Sequence, residues 1–247
     1  GFGFRVPAVH LGKLALQLRK ADAVRGNMFT KIGREIAIAV KAGGADPVSN
    51  SRLRDVIAKA KTNNMPNDNI TRSIKKAAGE GDANNYEEIS YEGYGPNGVA
   101  VIVDVLTDNR NRAAGDIRHI FDKYGGNMGT TGCVSFLFDK KGQILVAREG
   151  APDEDTLMMS ALEAGAEDFN VEDEYYEILT DPNDFSRVRE TLETQGLSFE
   201  TAEVTMIPKT TTVLTDPEAV ENMEKLIDRQ EEHDDVQHVW HNWEMDA

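Results

Sequence analysis

The first third of the chain carries apolar residues at the spacing of an α-helix. Phe29, Ile32 and Ile36 are three and four residues apart, so they share one helical face and predict that this face is buried. Gly43 and Gly44 then predict the end of the helix, because glycine adopts the left-handed conformation that terminates helices. This segment therefore predicts one amphipathic helix.

Three other segments show the same spacing. Short helices are stable only when they pack against one another, so we expect a small helical bundle. The predicted buried positions are Leu11, Leu14 and Leu18 in an early helix, Leu53, Val56, Ile57 and Ala60 in a later one, and Ile70, Ile74 and Ala77 in the last.

After a polar, glycine-bearing hinge at residues 79–85, strand patterns alternate with helical ones. Mixed elements of this kind predict α+β layers. No apolar run approaches the roughly 18–20 residues of a membrane span, so we expect no membrane partner. Strands are predicted near residues 89–91, 99–106, 134–138, 144–147, 175–179, 199–207 and 236–240, and helices near 109–124, 152–164, 184–194 and 216–230.

The distribution of charge changes this picture more than composition does. The 247 residues include 27 Lys and Arg and 43 Asp and Glu, a formal net charge of −16, which taken alone argues against nucleic acid. The first 78 residues, however, hold 15 of the cations and 5 of the acids, so their net charge is +10 and that of the remainder is −26. This asymmetry predicts a basic binding module joined to an acidic body, unless it is a chance of surface composition.

The cations of the basic segment are predicted to lie on the outer faces of its helices, where they could contact phosphates. The alternative for each of them is a solvated helix surface. Aromatic residues are sparse in this segment, so recognition of backbone or shape is favoured over base stacking. The candidate nucleic-acid-binding residues are Lys31, Arg34, Lys41, Arg52, Arg54, Lys59, Lys61, Arg72, Lys75 and Lys76.

Three further candidates, Arg110, Arg112 and Arg118, lie where a strand gives way to a helix in the acidic body. Arginines beside a helix N-terminus can hold an anion such as RNA phosphate. The equally weighted alternative is a set of internal salt bridges to neighbouring carboxylates.

Motifs for catalysis and cofactor binding are weak. The glycines at residues 125–132 lack the spacing of a nucleotide-binding loop, so a tight interdomain turn is favoured. His238 and His241 point to opposite faces of a strand, which disfavours a metal site. The one cysteine, Cys133, excludes an internal disulfide, fits a reducing compartment and is expected to be a buried, inert thiol. We therefore predict a protein with no catalytic residues, no metal and no cofactor.

Taken together, many ordered segments from about residue 25 to the C-terminus resemble the YebC/PmpR family, whereas residues 1–20 do not match the usual start of its members. The matching segments are Arg25-Gly26, Phe29-Thr30-Lys31, Gly43-Gly44, Asp46-Pro47, Asn50-Ser51-Arg52-Leu53-Arg54, Asn63-Asn64-Met65-Pro66, Tyr91-Glu92-Gly93-Tyr94-Gly95-Pro96, Asp108-Asn109-Arg110-Asn111-Arg112, Gly125-Gly126-Asn127, Ala164-Gly165-Ala166-Glu167-Asp168 and residues 236–242.

The resemblance implies an α+β multidomain fold. A helical bundle at 1–78 would precede an α+β domain at 79–133 plus 208–247, and a ferredoxin-like α+β domain at 134–207 would be inserted into it. The resemblance also implies a non-enzymatic, cytoplasmic protein. Family members are described as probable transcriptional regulators that bind DNA, or as translation factors acting at stalled ribosomes. The resemblance also strengthens the expectation that five of the candidates contact nucleic acid, because they occupy motif positions. These are Lys31, Arg52, Arg54, Arg110 and Arg112.

Our leading hypothesis is thus a regulator of gene expression that binds structured RNA, ribosomal RNA in particular, as a monomer. A narrow set of cations beside an acidic body suits docking into a defined RNA cavity. The alternative is a duplex-DNA-binding transcriptional regulator, and more distant hypotheses are an acidic adaptor that binds proteins and a metal-dependent enzyme.

Overall fold

The structure, a computed structural model, describes residues 22–79 and 85–245. The early helix predicted around Leu11, Leu14 and Leu18 lies outside the described residues. So does most of the predicted hinge.

The N-terminal part of the described chain is a bundle of three helices, α1 (Asp22–Gly43), α2 (Ser51–Thr62) and α3 (Asn67–Ala78). Its core contains the predicted apolar faces, with Ile36 and Leu53 fully buried. The helical spacing in the sequence therefore predicted both the elements and their buried sides.

The connection from α1 to α2 is fixed by a glycine and a buried asparagine. Gly44 has φ +91°, and its N–H donates to the carbonyl of Val40 at 2.7 Å, which confirms the predicted left-handed helix end. The Asn50 side chain accepts from the N–H of Leu53 and donates to the carbonyl of Ala39 at 2.8 Å. One side chain thus caps α2 and ties it to α1.

The first of two antiparallel sheets has the strand order β3-β1-β2-β8. Helices α4 and α7 cover one face of this sheet, and Phe121 of α4 and Met223 of α7 lie in the core between them. The elements are β1 (Glu87–Tyr94), β2 (Ala100–Thr107), α4 (Arg110–Lys123), β3 (Asn127–Met128), α7 (Pro217–Glu232) and β8 (Val236–His241).

The second sheet is built from a βαββαβ unit in the strand order β5-β6-β4-β7, the ferredoxin-like arrangement. Helices α5 and α6 pack against it around Ile144, Leu157 and Val188. The elements are β4 (Phe138–Ala147), α5 (Glu154–Ala164), β5 (Asp168–Val171), β6 (Tyr175–Thr180), α6 (Phe185–Thr194) and β7 (Thr201–Pro208).

All strands of the second sheet come from residues 138–208, between β3 and β8 of the first sheet. Phe138 at the start of β4 pairs with Pro208 at the end of β7, so the two connections to the first sheet leave from adjacent positions. The predicted fold class is confirmed, with N-terminal helices and two antiparallel α+β layers.

The prediction of separate strands at 134–138 and 144–147 was wrong. Phe138 already begins β4, and a short 3₁₀ turn, Ser135–Leu137, precedes it. The N–H groups of Val134 and Ser135 donate to the Glu92 carboxylate, so they are unavailable to a neighbouring strand. The apolar side chain of Val134 is buried between the two sheets. Apolar character here reflects burial, which is not sufficient to predict a strand.

Candidate nucleic-acid interface

Helix α3 presents three of the predicted cations together. Arg72, Lys75 and Lys76 are exposed, and at helical spacing they share one side, opposite the inward-facing Ile70 and Ile74. Within the described chain none of the three makes an ion pair or a hydrogen bond through its side chain. They therefore form a basic face with no acidic partner among the described residues, which we call the α3 face.

Two more candidates are exposed in the same way, whereas a third is bound. Lys61 lies in the last turn of α2, just before the connection to α3. Arg118 lies on the exposed side of α4. Neither has an ion-pair partner in the described part of the chain. Lys41 is exposed too, but its ammonium donates to Asn85 Oδ1 at 3.1 Å.

The two arginines of α2 reach across to the acidic body. Arg52 forms an ion pair with Glu88 on β1. Arg54 Nε lies 2.6 Å from Glu190 Oε1 on α6, and its Nη1 donates to the carbonyl of Pro47 at 2.8 Å. These arginines link the bundle to both sheets.

The prediction that Lys31 and Arg34 lie on a solvated outer face was wrong. Helix α1 packs a second side against the segment around β8, so both cations are half-buried there. Lys31 donates to the carbonyl of Glu231, and burial lowers its pKa to about 8. Arg34 donates to the carbonyl of Leu106 at 3.0 Å and pairs with the buried Asp235.

Lys59 was also assigned to an outer face, and it is instead the centre of a buried ion-pair cluster. Its Nζ lies 2.9 Å from Glu35 Oε1 and 3.1 Å from Glu203 Oε2 on β7. The other neighbour of Glu203 is His238 on β8, at 2.9 Å. Burial lowers the pKa of Lys59, but the two carboxylates outweigh it and raise that pKa. We call Lys59, Glu35, Glu203 and His238 the central cluster.

The central cluster predicts a pH dependence of stability. Burial alone would lower the pKa of His238, yet Glu203 overcomes this effect and raises the pKa to about 9 from its ordinary 6.5. The folded state therefore keeps a proton that the unfolded state releases. We expect this stabilisation to be complete below pH 6.5 and lost as the pH rises through 9, a difference of roughly 2–4 kcal/mol.

The measurement is urea unfolding at pH 6.5, 7.5 and 9 for the parent and for His238→Gln. The variant should show a shallower loss of stability over this interval. His119→Gln, at an exposed position on α4, is the matched control and should follow the parent. Equal slopes for the parent and His238→Gln would disprove the role of His238.

On α4, two of the three candidate arginines make the internal salt bridges that were the alternative to phosphate binding. Arg110 lies 3.5 Å from Glu87. Arg112 lies 3.2 Å from Asp108 and 3.1 Å from Asp235. Asp235, 1% exposed, therefore forms ion pairs both with Arg34 of the bundle and with Arg112 of α4.

The carboxylates that hold these cations were missed in the sequence. Glu190, Glu203 and Asp235 follow their partners by more than 120 residues. No local pattern distinguishes such an acid, because its role arises only when distant elements pack together.

Gly126 lies where the chain passes close to the end of β1 in the first sheet. A Cβ on Gly126 would lie 2.1 Å from the carbonyl oxygen of Tyr94. The Glu92 carboxylate accepts from the N–H groups of Gly132 and Val134 at 2.6 and 3.1 Å, so these backbone donors are already occupied. Cys133 is half-buried rather than buried, and burial raises its pKa.

The histidines near the C-terminus lie apart from one another. His233 pairs with Asp116 at 2.8 Å, and His238 belongs to the central cluster. His241 is buried on the other side of β8, where burial lowers its pKa to about 4. Within the described ranges no three metal-binding side chains come together. Among the same residues, no helix has the length and apolar composition needed to cross a membrane.

Comparison with known proteins gives family matches along nearly the whole chain. The TACO1/YebC protein N-terminal domain matches residues 14–80, and the TACO1/YebC second and third domain matches residues 86–243. The first match begins earlier than the motifs indicated, since they had placed the start of the likeness at about residue 25.

Similar proteins and one similar structure extend these matches. A probable transcriptional regulatory protein of Acetivibrio thermocellus is 66% identical, covering 91% of this chain and 93% of its own. One from Ruminiclostridium cellulolyticum is 65% identical, covering 92% and 91%. The crystal structure of a conserved hypothetical protein from Aquifex aeolicus is 46% identical with a TM-score of 0.80, covering 90% of this chain and 91% of its own.

Proposed function

Because the chain belongs to the TACO1/YebC family, we propose that it is a cytoplasmic, non-enzymatic regulator of gene expression that binds nucleic acid through its helical bundle. Relatives named probable transcriptional regulatory proteins support the regulatory role. The observation that carries the binding role is the α3 face.

The α3 face is the surface best prepared for phosphate. Cations that are already paired internally must break those pairs before they bind a phosphate, whereas Arg72, Lys75 and Lys76 give up only water and counterions. The single acid on α3, Asp68, lies in its first turn. Lys61 extends the basic surface into the last turn of α2. We therefore assign phosphate contacts first to these four residues.

The paired candidates have a second role in this proposal. Arg52 and Arg54 hold the bundle against the acidic body by ion pairs, and Arg112 pairs with Asp235, the acid that also binds Arg34 of the bundle. They orient the α3 face, and they remain predicted phosphate contacts only where binding replaces their carboxylate partners.

We favour structured RNA, with ribosomal RNA as the target. The basic surface is narrow, and the remaining chain carries a net charge of −26. Such a body is repelled by phosphates on either side of a binding site unless the site is a defined cavity that accepts the bundle. The regulated step would then be translation on stalled or inefficient ribosomes.

Duplex DNA is the second candidate, because relatives of this chain are named probable transcriptional regulatory proteins.

The proposal predicts that neutralising the α3 face weakens binding and its salt dependence together. The logarithm of the binding constant falls as the logarithm of the salt concentration rises. Combining Arg72→Gln, Lys75→Gln and Lys76→Gln should make this slope shallower by about 2–3, since each lost phosphate contact removes about 0.7–0.9. The measurement is fluorescence anisotropy with ribosomes, an RNA hairpin and duplex DNA between 50 and 200 mM salt.

A matched control removes three exposed lysines from the acidic body, Lys123, Lys140 and Lys225, also as Gln. It changes net charge equally and should bind as the parent does. Equal losses in both variants would contradict a role for the α3 face. Sequence-dependent binding to duplex DNA that exceeds binding to RNA would select the transcriptional alternative.

A further inference from the structure

A cavity of about 230 Å³ lies where the helical bundle meets both sheets. Its walls come from α1, α2, β7, β8 and the segment before β7. A dry cavity of about 150 Å³ holds a benzene ring, so this volume admits one larger ring system.

The walls of the cavity are rich in aromatic and sulfur-containing side chains. Phe199, Trp240, Met28 and Met206 contribute to its surface together with Leu145. Such side chains favour a flat, weakly polar molecule, because aromatic rings and thioethers pack well on ring faces.

Charges at the cavity are paired within the chain. Lys59 is held by Glu35 and Glu203, and Arg189 is bound by Asp55 at 3.0 Å and Glu193 at 2.5 Å. Lys31 also lines the cavity, and its ammonium donates to the carbonyl of Glu231. A phosphate or carboxylate entering this space would find these three cations already bound and would face the carboxylates. The cavity therefore suits a neutral ligand.

Two buried polar atoms at the cavity, Asn27 Oδ1 and Thr205 Oγ1, have no hydrogen-bond partner within residues 22–79 and 85–245. Thr205 is 9% exposed, so its hydroxyl is excluded from bulk water. An unpaired buried polar atom destabilises the folded protein, and a bound molecule that pairs with both atoms would remove this penalty.

We propose that this cavity binds a neutral nitrogen heterocycle of the nucleobase class. An amino or imino N–H of the ring donates to Asn27 Oδ1, the Thr205 hydroxyl pairs with a ring nitrogen or carbonyl, and the ring lies against Phe199 and Trp240. The heterocycle is either a base extruded from a bound nucleic acid, which rests on the function proposed above, or a free nucleoside, which does not.

The test uses 2-aminopurine riboside, the four natural ribonucleosides, and a single-stranded RNA carrying one internal 2-aminopurine. Thr205→Val removes the hydroxyl but keeps the side-chain shape, and Ala58→Leu fills the cavity from α2. Thr191→Val, at a half-buried position on α6 outside the cavity lining, is the matched control. Circular dichroism and urea unfolding check that each variant folds.

We expect Thr205→Val to weaken binding of the heterocycle about tenfold, the worth of one hydrogen bond, and Ala58→Leu to abolish it, while Thr191→Val has no effect. If calorimetry shows that a free nucleoside binds and that Thr205→Val weakens this binding, the ligand is the free nucleoside. A Thr205-dependent fluorescence change seen only with the labelled RNA supports the extruded base.

Two results separate this inference from the proposed function. If RNA binds through the α3 face but neither probe responds to Thr205→Val and Ala58→Leu, the cavity proposal is overturned and the function stands. If free nucleosides bind in a Thr205-dependent way while RNA fails to bind, the cavity proposal stands and the function fails.

Discussion

Replacing Lys59 with Met is expected to lower the free energy of unfolding by about 3–5 kcal/mol, a large fraction of the stability of a typical domain. Met fills nearly the same volume but carries no charge. Glu35 and Glu203, which lie 2.9 and 3.1 Å from the Lys59 ammonium, would remain half-buried with their main cation removed.

Urea unfolding followed by circular dichroism measures this change. Lys61→Met is the control, since Lys61 is an exposed lysine two positions along the same helix and should change stability by less than about 0.5 kcal/mol. The double variant Lys59→Met with Glu203→Gln should recover part of the loss, because it removes one of the unpaired charges. A Lys59→Met protein as stable as the control would show that the central cluster contributes nothing.

Replacing Glu92 with Ala is expected to cost about 3–4 kcal/mol. The Glu92 side chain is 5% exposed, and its carboxylate accepts from the N–H groups of Gly132, Val134 and Ser135. Burial raises the pKa of Glu92, yet these donors outweigh it and lower that pKa. Charge-assisted bonds of this kind contribute at most about 1.5–3 kcal/mol each. The total loss is smaller than their sum, because water can accept from some of the backbone N–H groups that lose the carboxylate.

The residues released by Glu92→Ala lead directly into β4, so the loss should begin locally. Hydrogen exchange at residues 129–137 should accelerate before the rest of the protein unfolds. Glu92→Gln is the control, because it keeps the shape and one carbonyl acceptor, and it should lose clearly less stability than Ala. In the parent this stabilisation is present above pH 4.5 and declines as the pH falls through the lowered pKa of Glu92. Unchanged exchange in the Ala variant would contradict the role of Glu92.

Much of the fold could be predicted because its local patterns agree with its packing. The helix predicted near residues 109–124 is α4, and the Asn109 side chain caps it by accepting from the N–H of Arg112 at 3.1 Å. The helix predicted near residues 216–230 is α7, and the Asp216 side chain caps it. Local capping chemistry needs no distant partner, which is why these boundaries are readable.

The elements that escaped prediction depend on distant neighbours. Strand β5 has only four residues and is a strand because it pairs with β6, while the two-residue β3 is a strand because it pairs with β1. Short strands carry too little periodicity to be recognised. Their identity is set by the sheet edge that receives them.

The candidate site residues also fall into those that local periodicity placed correctly and those that depend on distant elements. Helical periodicity placed Arg72, Lys75 and Lys76 on the exposed side of α3, as the structure has them. The same reasoning failed for Lys31 and Lys59, because it assumed that each helix has one buried side. Helices α1 and α2 have two, one toward the bundle core and one toward the sheets, and a single amphipathic stripe cannot reveal the second.

The chain is synthesised from its N-terminus, and this order affects the first sheet. Strand β8 pairs with β2, yet β8 follows every other described strand along the chain. The second sheet lies entirely upstream of β8 and can form first. Until β8 emerges, one edge of β2 is open, and open strand edges promote association between chains. Products truncated before residue 236 should therefore be prone to aggregation even when their remaining domains have folded.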